Sequence, residues 1–395
     1  MIPELTPSKK ECCGCKACAN ACSRNAISFL PDEYGFEYPH IDADKCVECG
    51  KCLKACDFKK SEQEGVTMHT PLEGYAARHI DREVYANSTS GGVFSALAQW
   101  ILDRDGVVYG CTFTDDWRPM HIEADCMEKV IPMRGSKYVQ SDTGFGYQKV
   151  KSRLQEGKWV LFTGTPCQVA GLYAYLGKAD TQKLLTMDIV CHGVPSPLVF
   201  RNYIHYLEDK FHKKIKIFQF RNKIKGWAKP SIGVGFEDGS FKTWSVIRDL
   251  YYEAFHFAYL QRPSCFECKY ATGKRVGDLT LGDFWGWQKA HITMSTQEGV
   301  SCCLLNTGKA KEVFAQLNIN TNKVTVDSII QGNYHLRNRS KKKDNWETVM
   351  DTIVQNGFAV YAARFRTTHW ITMAKRSRFY RIWQRVVNLI CPNRK

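Results

Sequence analysis

Apolar residues recur at two different periods along this chain. Between residues 74 and 205, Phe94–Leu102 repeats its apolar positions at helical spacing and Trp159–Thr163 is a short apolar run. Val169–Leu176 is helical again and Leu184–Val190 is a second run. Helices alternating with short apolar strands predict parallel βαβ units. From residue 215 to 305 the period drops to two. Ile232, Val234 and Phe236 alternate with small or polar residues, Asp238-Gly239 offers a turn, and Phe241–Val246 returns, which predicts antiparallel pairing. Residues 1–65 hold too few large aliphatic side chains for a strong core of their own, and the polar stretch Lys59–Gly65 reads as a linker. Four regions follow: 1–65, 74–205, 206–330 and a terminal segment 331–395.

The first region carries the strongest chemical signal. Cys12, Cys15, Cys18 and Cys22 are followed by Cys46, Cys49, Cys52 and Cys56, the same spacing twice, separated by the 23 residues Ser23–Lys45. A cubane iron–sulfur cluster needs thiolates from several directions, so a tight loop supplies three and a distant cysteine the fourth. In two-cluster ferredoxins that fourth cysteine serves the other cluster. The spacing predicts one [4Fe-4S] site from Cys12, Cys15, Cys18 and Cys56, and a second from Cys46, Cys49, Cys52 and Cys22. Zinc motifs show isolated C-x2-C pairs instead. Where a proline usually follows the fourth cysteine, this chain has Ser23 and Asp57. Cys13 is surplus and reads as a bystander.

Two more cysteines follow the apolar runs directly: Cys167 in Thr163-Gly-Thr-Pro-Cys-Gln168 and Cys191 in Asp188-Ile-Val-Cys-His-Gly193. On neighbouring parallel strands both would emerge at one carboxyl edge, where open α/β sheets bind ligands. With Cys265 and Cys268 they make four thiolates, enough for a third cluster or, more plainly, two buried small residues and a surface pair. Cys111, Cys126, Cys302, Cys303 and Cys391 have no such partners and read as core or idle thiols.

Three segments are candidate cofactor contacts. Asn87-Ser-Thr-Ser-Gly-Gly92 precedes a helix, where small residues and free N–H groups suit a phosphate, although the hydroxyls of Ser88, Thr89 and Ser90 could equally cap it. Arg134-Gly-Ser-Lys-Tyr138 is a compact basic turn. Asp283 in Gly282-Asp-Phe-Trp-Gly286 is a candidate hydrogen-bond partner or a turn residue. There is no G-x4-GK[ST] loop and no GxGxxG fingerprint. Clusters pass single electrons and most organic substrates need two, so a flavin in this cradle is chemically sensible.

The motifs SGGVFSALAQWIL, RGSKYVQS, GTPCQVAGL, CHGVPSP, FRNKIKGW, RPSCFECKYA, GDLTLGDFWG and GVSCCLLNT occur in one order over roughly residues 1–310. Together they resemble the coenzyme F420 hydrogenase/dehydrogenase beta-subunit family, preceded by a two-cluster ferredoxin domain. The resemblance implies an α+β chain. A small bacterial-type dicluster ferredoxin domain (1–65) would precede an α/β flavin-binding domain with a mixed sheet and antiparallel additions. It also implies FAD, a third cluster at Cys167, Cys191, Cys265 and Cys268, and cofactor contacts from Ser88, Ser90, Gly91, Gly92, Ser136, Lys137, Tyr138, Gly164, Thr165 and Asp283. The activity implied is electron transfer from reduced ferredoxin through the clusters and FAD to a small organic substrate; relatives with this domain order resemble ones encoded beside surface-polysaccharide genes. The alternatives are a deazaflavin-linked electron-relay subunit of a larger complex, and a zinc-binding interaction module. No general acid is identified.

Charge and composition adjust this picture at one end. The chain has 395 residues, 18 cysteines and a formal charge of +15, of which +11 falls within residues 331–395. The basicity is therefore a property of the terminal segment. Within it, Phe379, Ile382, Trp383, Val386, Leu389 and Ile390 oppose Arg378, Arg381 and Arg385 at helical spacing. Such a helix over Arg376–Cys391 suits an anionic membrane surface or packing on the domain. No nucleic-acid module accompanies the charge. No apolar run nears the roughly 18–20 residues that cross a bilayer. The first residues lack the apolar stretch of a signal peptide. A cytoplasmic chain, peripheral to the inner face of the membrane at most, is expected.

Overall fold

The computed structural model describes residues 2–365. The basic helix expected over Arg376–Cys391, and Cys391 itself, lie outside the described residues.

The core element is an eight-stranded mixed sheet. Its strands are β3 (Glu73–His79), β4 (Val107–Phe113), β5 (Pro119–Ala124), β6 (Val160–Gly164), β7 (Leu184–Ile189), β11 (Leu279–Asp283), β12 (Ser301–Leu305) and β13 (Ile319–Val324). They lie in the order β13-β3-β12-β11-β7-β6-β4-β5. β11, β7, β6 and β4 run parallel, and the strands outside them pair antiparallel. The expected neighbours β6 and β7 are adjacent and parallel. Parallel strands buried on both faces need apolar side chains on both. Along β6, Val160 and Phe162 face Val150, Val169 and Leu172, whereas Leu161 joins Val93, Leu97 and Ile101 on the other face. The helices Val93–Leu102 and Pro166–Leu176 thus cover opposite faces.

β11 and β12 come from the region read as antiparallel, yet they complete the same sheet as β3–β7. A boundary near residue 205 therefore divides the sequence but not the sheet. The physical reason is β7: its six residues are buried up to Asp188, so its free edge had to be filled, and β11 fills it.

The expected antiparallel unit is a separate three-stranded sheet of β8 (Ile215–Asn222), β9 (Ser231–Phe236) and β10 (Phe241–Ser245), with Gly239 at φ +81° in the turn. β9 is buried throughout rather than on alternate residues. The helices Pro197–Phe211, Leu250–His256 and Trp346–Asn356 pack with this sheet through an aromatic core that includes Phe200, Tyr203, Phe220, Tyr251 and Trp346. Residues 346–362 therefore belong to the folded body, not to a free tail.

The N-terminal unit contains the hairpin β1 (Ile27–Pro31) and β2 (Glu37–Ile41). Its own core is Leu5, Ala19, Ile27 and Cys52, as thin as its composition implies. Polar contacts tie it down instead. Asn20 Nδ2 donates to Gly144 O (2.8 Å), Thr143 Oγ1 donates to Cys15 O (2.9 Å), and Lys16 pairs with Asp142 (2.6 Å). No helix among the described residues is long and apolar enough to cross a membrane.

Candidate functional site

The two N-terminal cysteine runs fold as short loops, each ending in one helical turn, Ala17–Asn20 and Lys51–Lys54. Burial and the charges of Cys12 and Cys56 raise the Cys18 thiol. A hydrogen bond from Cys13 favours the Cys15 thiolate, but burial and the charges of Cys18 and Cys56 outweigh it and raise that thiol too. Cys12, Cys15, Cys18 and Cys56 are thus neighbours across the two motifs. Cys22, Cys46, Cys49 and Cys52 line one small cavity together, and the Ala26 N–H donates to Cys22 Sγ at 3.3 Å. The fourth cysteine of each run therefore stands with the other run's three.

Asp57 explains the missing proline. It is 2% exposed, and its carboxylate accepts from Tyr270 Oη (2.6 Å) and Val66 N (2.6 Å) and pairs with Lys269 (3.0 Å). The residue after Cys56 thus clamps the residues after Cys268, joining two cysteine loops far apart in sequence. Asp57→Ala is expected to cost about 1–3 kcal/mol, the desolvation left on its partners. Trypsin should then cut faster at Lys59 and Lys60; unchanged cleavage and an unchanged denaturation midpoint would refute the clamp.

Cys167 and Cys191 emerge just beyond β6 and β7, at the same carboxyl edge. Cys167 lies in the first turn of the helix Pro166–Leu176, with Thr165 Oγ1 3.2 Å from its sulfur. The Gly193 N–H donates to Cys191 Sγ at 3.4 Å. Cys265 and Cys268 come from the 3-10 turn Pro263–Glu267 and its end, and all four cysteines line one cavity. Burial and the charges of Cys167 and Cys268 push the Cys191 thiol up to about 12. Four sulfurs around one cavity are a donor set that fits an iron–sulfur core, which would take them as thiolates. Among the described residues no three His, Cys, Asp or Glu side chains converge as one metal ion would require; thiolates on a cubane's corners stand farther apart.

Cys13 lines this same cavity and, through its thiol, acts on both Cys15 and Cys167. It is buried between the first and third sets, a position its surplus status in the sequence did not suggest. Cys302 and Cys303 are core residues of β12, as expected. Cys126 precedes a short helix and Cys111 borders the larger cavity described next.

A cavity of about 320 Å³ opens at the same sheet edge. All ten expected cofactor contacts line it except Gly91. Gly91 is small for another reason: a Cβ there would stand 2.2 Å from Ala77 O on β3. Ser88 Oγ donates to Val84 O (2.8 Å) and Ser90 Oγ to Val300 O (2.7 Å), so their protons are already used. Neither caps the following helix, whose first turn opens on Gly92 without a side-chain cap. Thr89 Oγ1 accepts from Ser136 N at 2.8 Å and joins the two loops. Asp283 is also engaged, its oxygens held by Arg221 (2.8 Å) and Trp227 Nε1 (2.9 Å). Gly164 and Thr165 border the cavity where β6 ends, and the Thr165 N–H donates to Gln168 Oε1 at 3.0 Å.

The cavity's electrostatics favour an anion. Lys137 is half-buried, its pKa lowered by desolvation, and its ammonium donates to the carbonyls of Met133, Arg134 and Gly135. Arg134 Nε is buried without a partner among the described residues. Two cations that form no ion pair among the described residues, beside an uncapped helix N-terminus, fit a phosphate-bearing group. Tyr138 stacks on Phe255 (4.5 Å between centroids) and supplies a flat aromatic wall.

His121 on β5 also borders the cavity and carries no motif that could have marked it. Burial pushes its pKa down to about 4, and Nε2 lies 2.9 Å from Thr163 O. Its folded pKa is below the unfolded value, so the stability it confers is full above pH ~6.5 and is lost as the pH falls toward 4, by ~3 kcal/mol in all. His121→Gln should flatten the pH dependence of the denaturation midpoint in that window; an unchanged slope would count against it.

Residues 157–330 match the family model for the C terminus of the coenzyme F420 hydrogenase/dehydrogenase beta subunit, and residues 11–60 match that for a 4Fe-4S dicluster domain. The indoleacetate decarboxylase activating enzyme of Tractidigestivibacter scatoligenes is 34% identical over 96 residues, 23% of this chain and 30% of that relative's length. The chain thus matches less than a third of that relative. Among solved structures, the F420-reducing [NiFe] hydrogenase complex from Methanosarcina barkeri aligns at 20% identity and a TM-score of 0.43, covering 65% of this chain and 83% of the other. The chain thus carries a 4Fe-4S dicluster domain over residues 11–60 and, over residues 157–330, a region that matches the C-terminal domain of the coenzyme F420 hydrogenase/dehydrogenase beta subunit.

Proposed function

We propose that this chain is a flavin-containing oxidoreductase that passes electrons from a reduced ferredoxin, through three [4Fe-4S] clusters, to a small organic substrate. The ligands would be Cys12, Cys15, Cys18 and Cys56; Cys46, Cys49, Cys52 and Cys22; and Cys167, Cys191, Cys265 and Cys268. One observation carries the reading: the segment Cys191-His192-Gly193-Val194 is a common wall of the third cysteine set's cavity and of the anion-favouring cavity. An electron leaving the third set has only this segment to cross.

Lys137, Arg134 and the N–H groups at Val93 would hold the phosphates of FAD, and Tyr138 with Phe255 would bound its apolar part. A flavin in this cavity supplies the change between one-electron and two-electron transfer. The chain's own part is to hold the anion, keep its thiols out of water and bring two redox sites to one sheet edge. The remaining boundaries are proposed as 1–65 for the ferredoxin unit, 74–205 and 206–330 for the two parts of the flavin-binding region, and 331–395 for the terminal segment.

Anaerobic loading of the full chain tests this directly. About 12 iron, about 12 sulfide and one flavin per chain are expected, at four iron per cluster. About 8 iron without flavin would remove the third cluster and the cofactor, and zinc without sulfide would remove the redox reading. The matched beta-subunit family favours a second reading, a relay subunit of a larger complex. Oxidation of stoichiometric reduced ferredoxin by the isolated chain with a trial organic acceptor separates the two.

A further inference from the structure

Arg262 is completely buried, yet every hydrogen bond it makes goes to a neutral acceptor. Nε donates to Cys12 O (2.7 Å), Nη1 to Gln140 Oε1 (3.0 Å) and Nη2 to Glu37 O (2.9 Å). Its guanidinium lies 4.2 Å from the centroid of the Tyr38 ring. Among the described residues it has no carboxylate partner. Glu37, whose carbonyl it binds, commits its own carboxylate to Lys16 (2.8 Å) and Arg118 (2.9 Å). The other buried arginines differ: Arg275 sits on Asp188 at 2.8 Å, and Arg221 on Asp283 at 2.8 Å. A desolvated guanidinium with no anion is costly, so a buried charge is normally compensated.

Its position says what compensates it. The guanidinium rests on the first cysteine loop, where a Cβ at Gly14 would stand 3.0 Å from Nη1 and 3.2 Å from Cζ. Its own backbone runs directly into Pro263-Ser264-Cys265, and the Cys265 N–H donates to Arg262 O at 2.9 Å. Arg262 is therefore attached by its side chain to the first set and by its backbone to the third. None of its hydrogen bonds reaches Cys22, Cys46, Cys49 or Cys52.

We infer that Arg262 is the fixed counter-charge shared by the first and third cysteine sets, holding both at higher reduction potentials than they would otherwise have and leaving the second set lower. The inference rests on the ligation proposed above. A cubane with four thiolates is net about −2 when oxidised and about −3 when reduced, so a nearby cation in a dry interior favours the reduced form. Electrons entering at the second set would then run downhill toward the sheet edge. Arg262 is a positioning residue here: it touches no reacting atom and acts through the field it imposes.

The test uses the full chain, loaded anaerobically, with Arg262→Lys, Arg262→Gln and Gln140→Glu. The last keeps the arginine and sets a carboxylate against it. Iron and sulfide content is read first, because a parent chain without its clusters fails the ligation reading before any variant is compared. Redox titration followed by electron paramagnetic resonance is read second. In Arg262→Gln and Gln140→Glu, two of three midpoint potentials should move to more negative values and the third stay in place, while Arg262→Lys stays near the parent. Fully loaded variants whose potentials do not move, or move equally at all three sites, would overturn the inference. If Arg262→Gln does not fold, Gln140→Glu decides alone.

Discussion

Cys56→Ala is expected to remove the cluster of the first cysteine run, not of the run in which Cys56 sits. The iron content of the anaerobically loaded chain should fall from about 12 to about 8 per chain, at four iron per cluster. The reason is the crossing of the two loops. Cys56 ends the second motif in sequence, but its charge acts on Cys15 and Cys18, while the second motif's own cavity takes Cys22 from the first. Cys22→Ala should do the opposite. The two single variants should therefore have equal iron but different paramagnetic spectra, and combining Cys56→Ala with Cys18→Ala should lose no further iron. If Cys56→Ala instead pairs with Cys46→Ala in this way, each run holds its own cluster and the crossed assignment is wrong. Loss of the first cluster should also leave Arg262 short of a counter-charge, so the remaining chain should unfold at lower denaturant.

Asp188→Ala is expected to be the most destabilising single substitution in the body of the protein, by about 3–5 kcal/mol. Asp188 is fully buried near the end of β7 and Arg275 is 1% exposed. Its carboxylate accepts from Arg275 Nη2 (2.8 Å) and Nε (3.3 Å), Thr280 Oγ1 (2.6 Å), Val276 N (3.2 Å) and Gly277 N (3.0 Å). Removing it strands a desolvated guanidinium and two backbone donors at once. Adding Arg275→Met should restore part of the loss, because the pair together leaves no orphan charge. Chemical denaturation of the single and double variants gives the comparison, and equal midpoints for the two would refute this account. Asp188 also stands three residues before Cys191, so the same substitution should loosen the third cysteine set and lower its iron.

The contrast between Asp188 and Asp57 shows why some of this was hidden in the sequence. Both are buried acids that tie segments together, yet neither belongs to a periodic pattern. Their partners, Arg275 at 87 residues and Tyr270 at 213 residues, are found only when the chain has folded. The surplus Cys13 is similar: its neighbour Cys167 comes from another region. His121 was equally silent, since one histidine on a strand carries no spacing to read. Ser88 and Ser90 line the cavity, but their hydroxyls show the same limit from the other side. Hydroxyls before a helix suggested caps or phosphate donors, and the fold spends them on backbone carbonyls.

What is local in this protein is written in its residue order. Three cysteines within seven residues, repeated, leave little choice of chemistry, because a tight loop can present that geometry without help from the rest of the chain. Apolar runs of β6 and β7 likewise declared two buried parallel strands, since such strands must be apolar on both faces. What is shared between distant segments was set by folding. It inserted β11 beside β7, packed residues 346–362 into the aromatic core, and placed one uncompensated arginine between two cysteine sets. Those outcomes depend on which edges, cavities and charges remain unsatisfied after the local elements form, and no spacing along the chain records that.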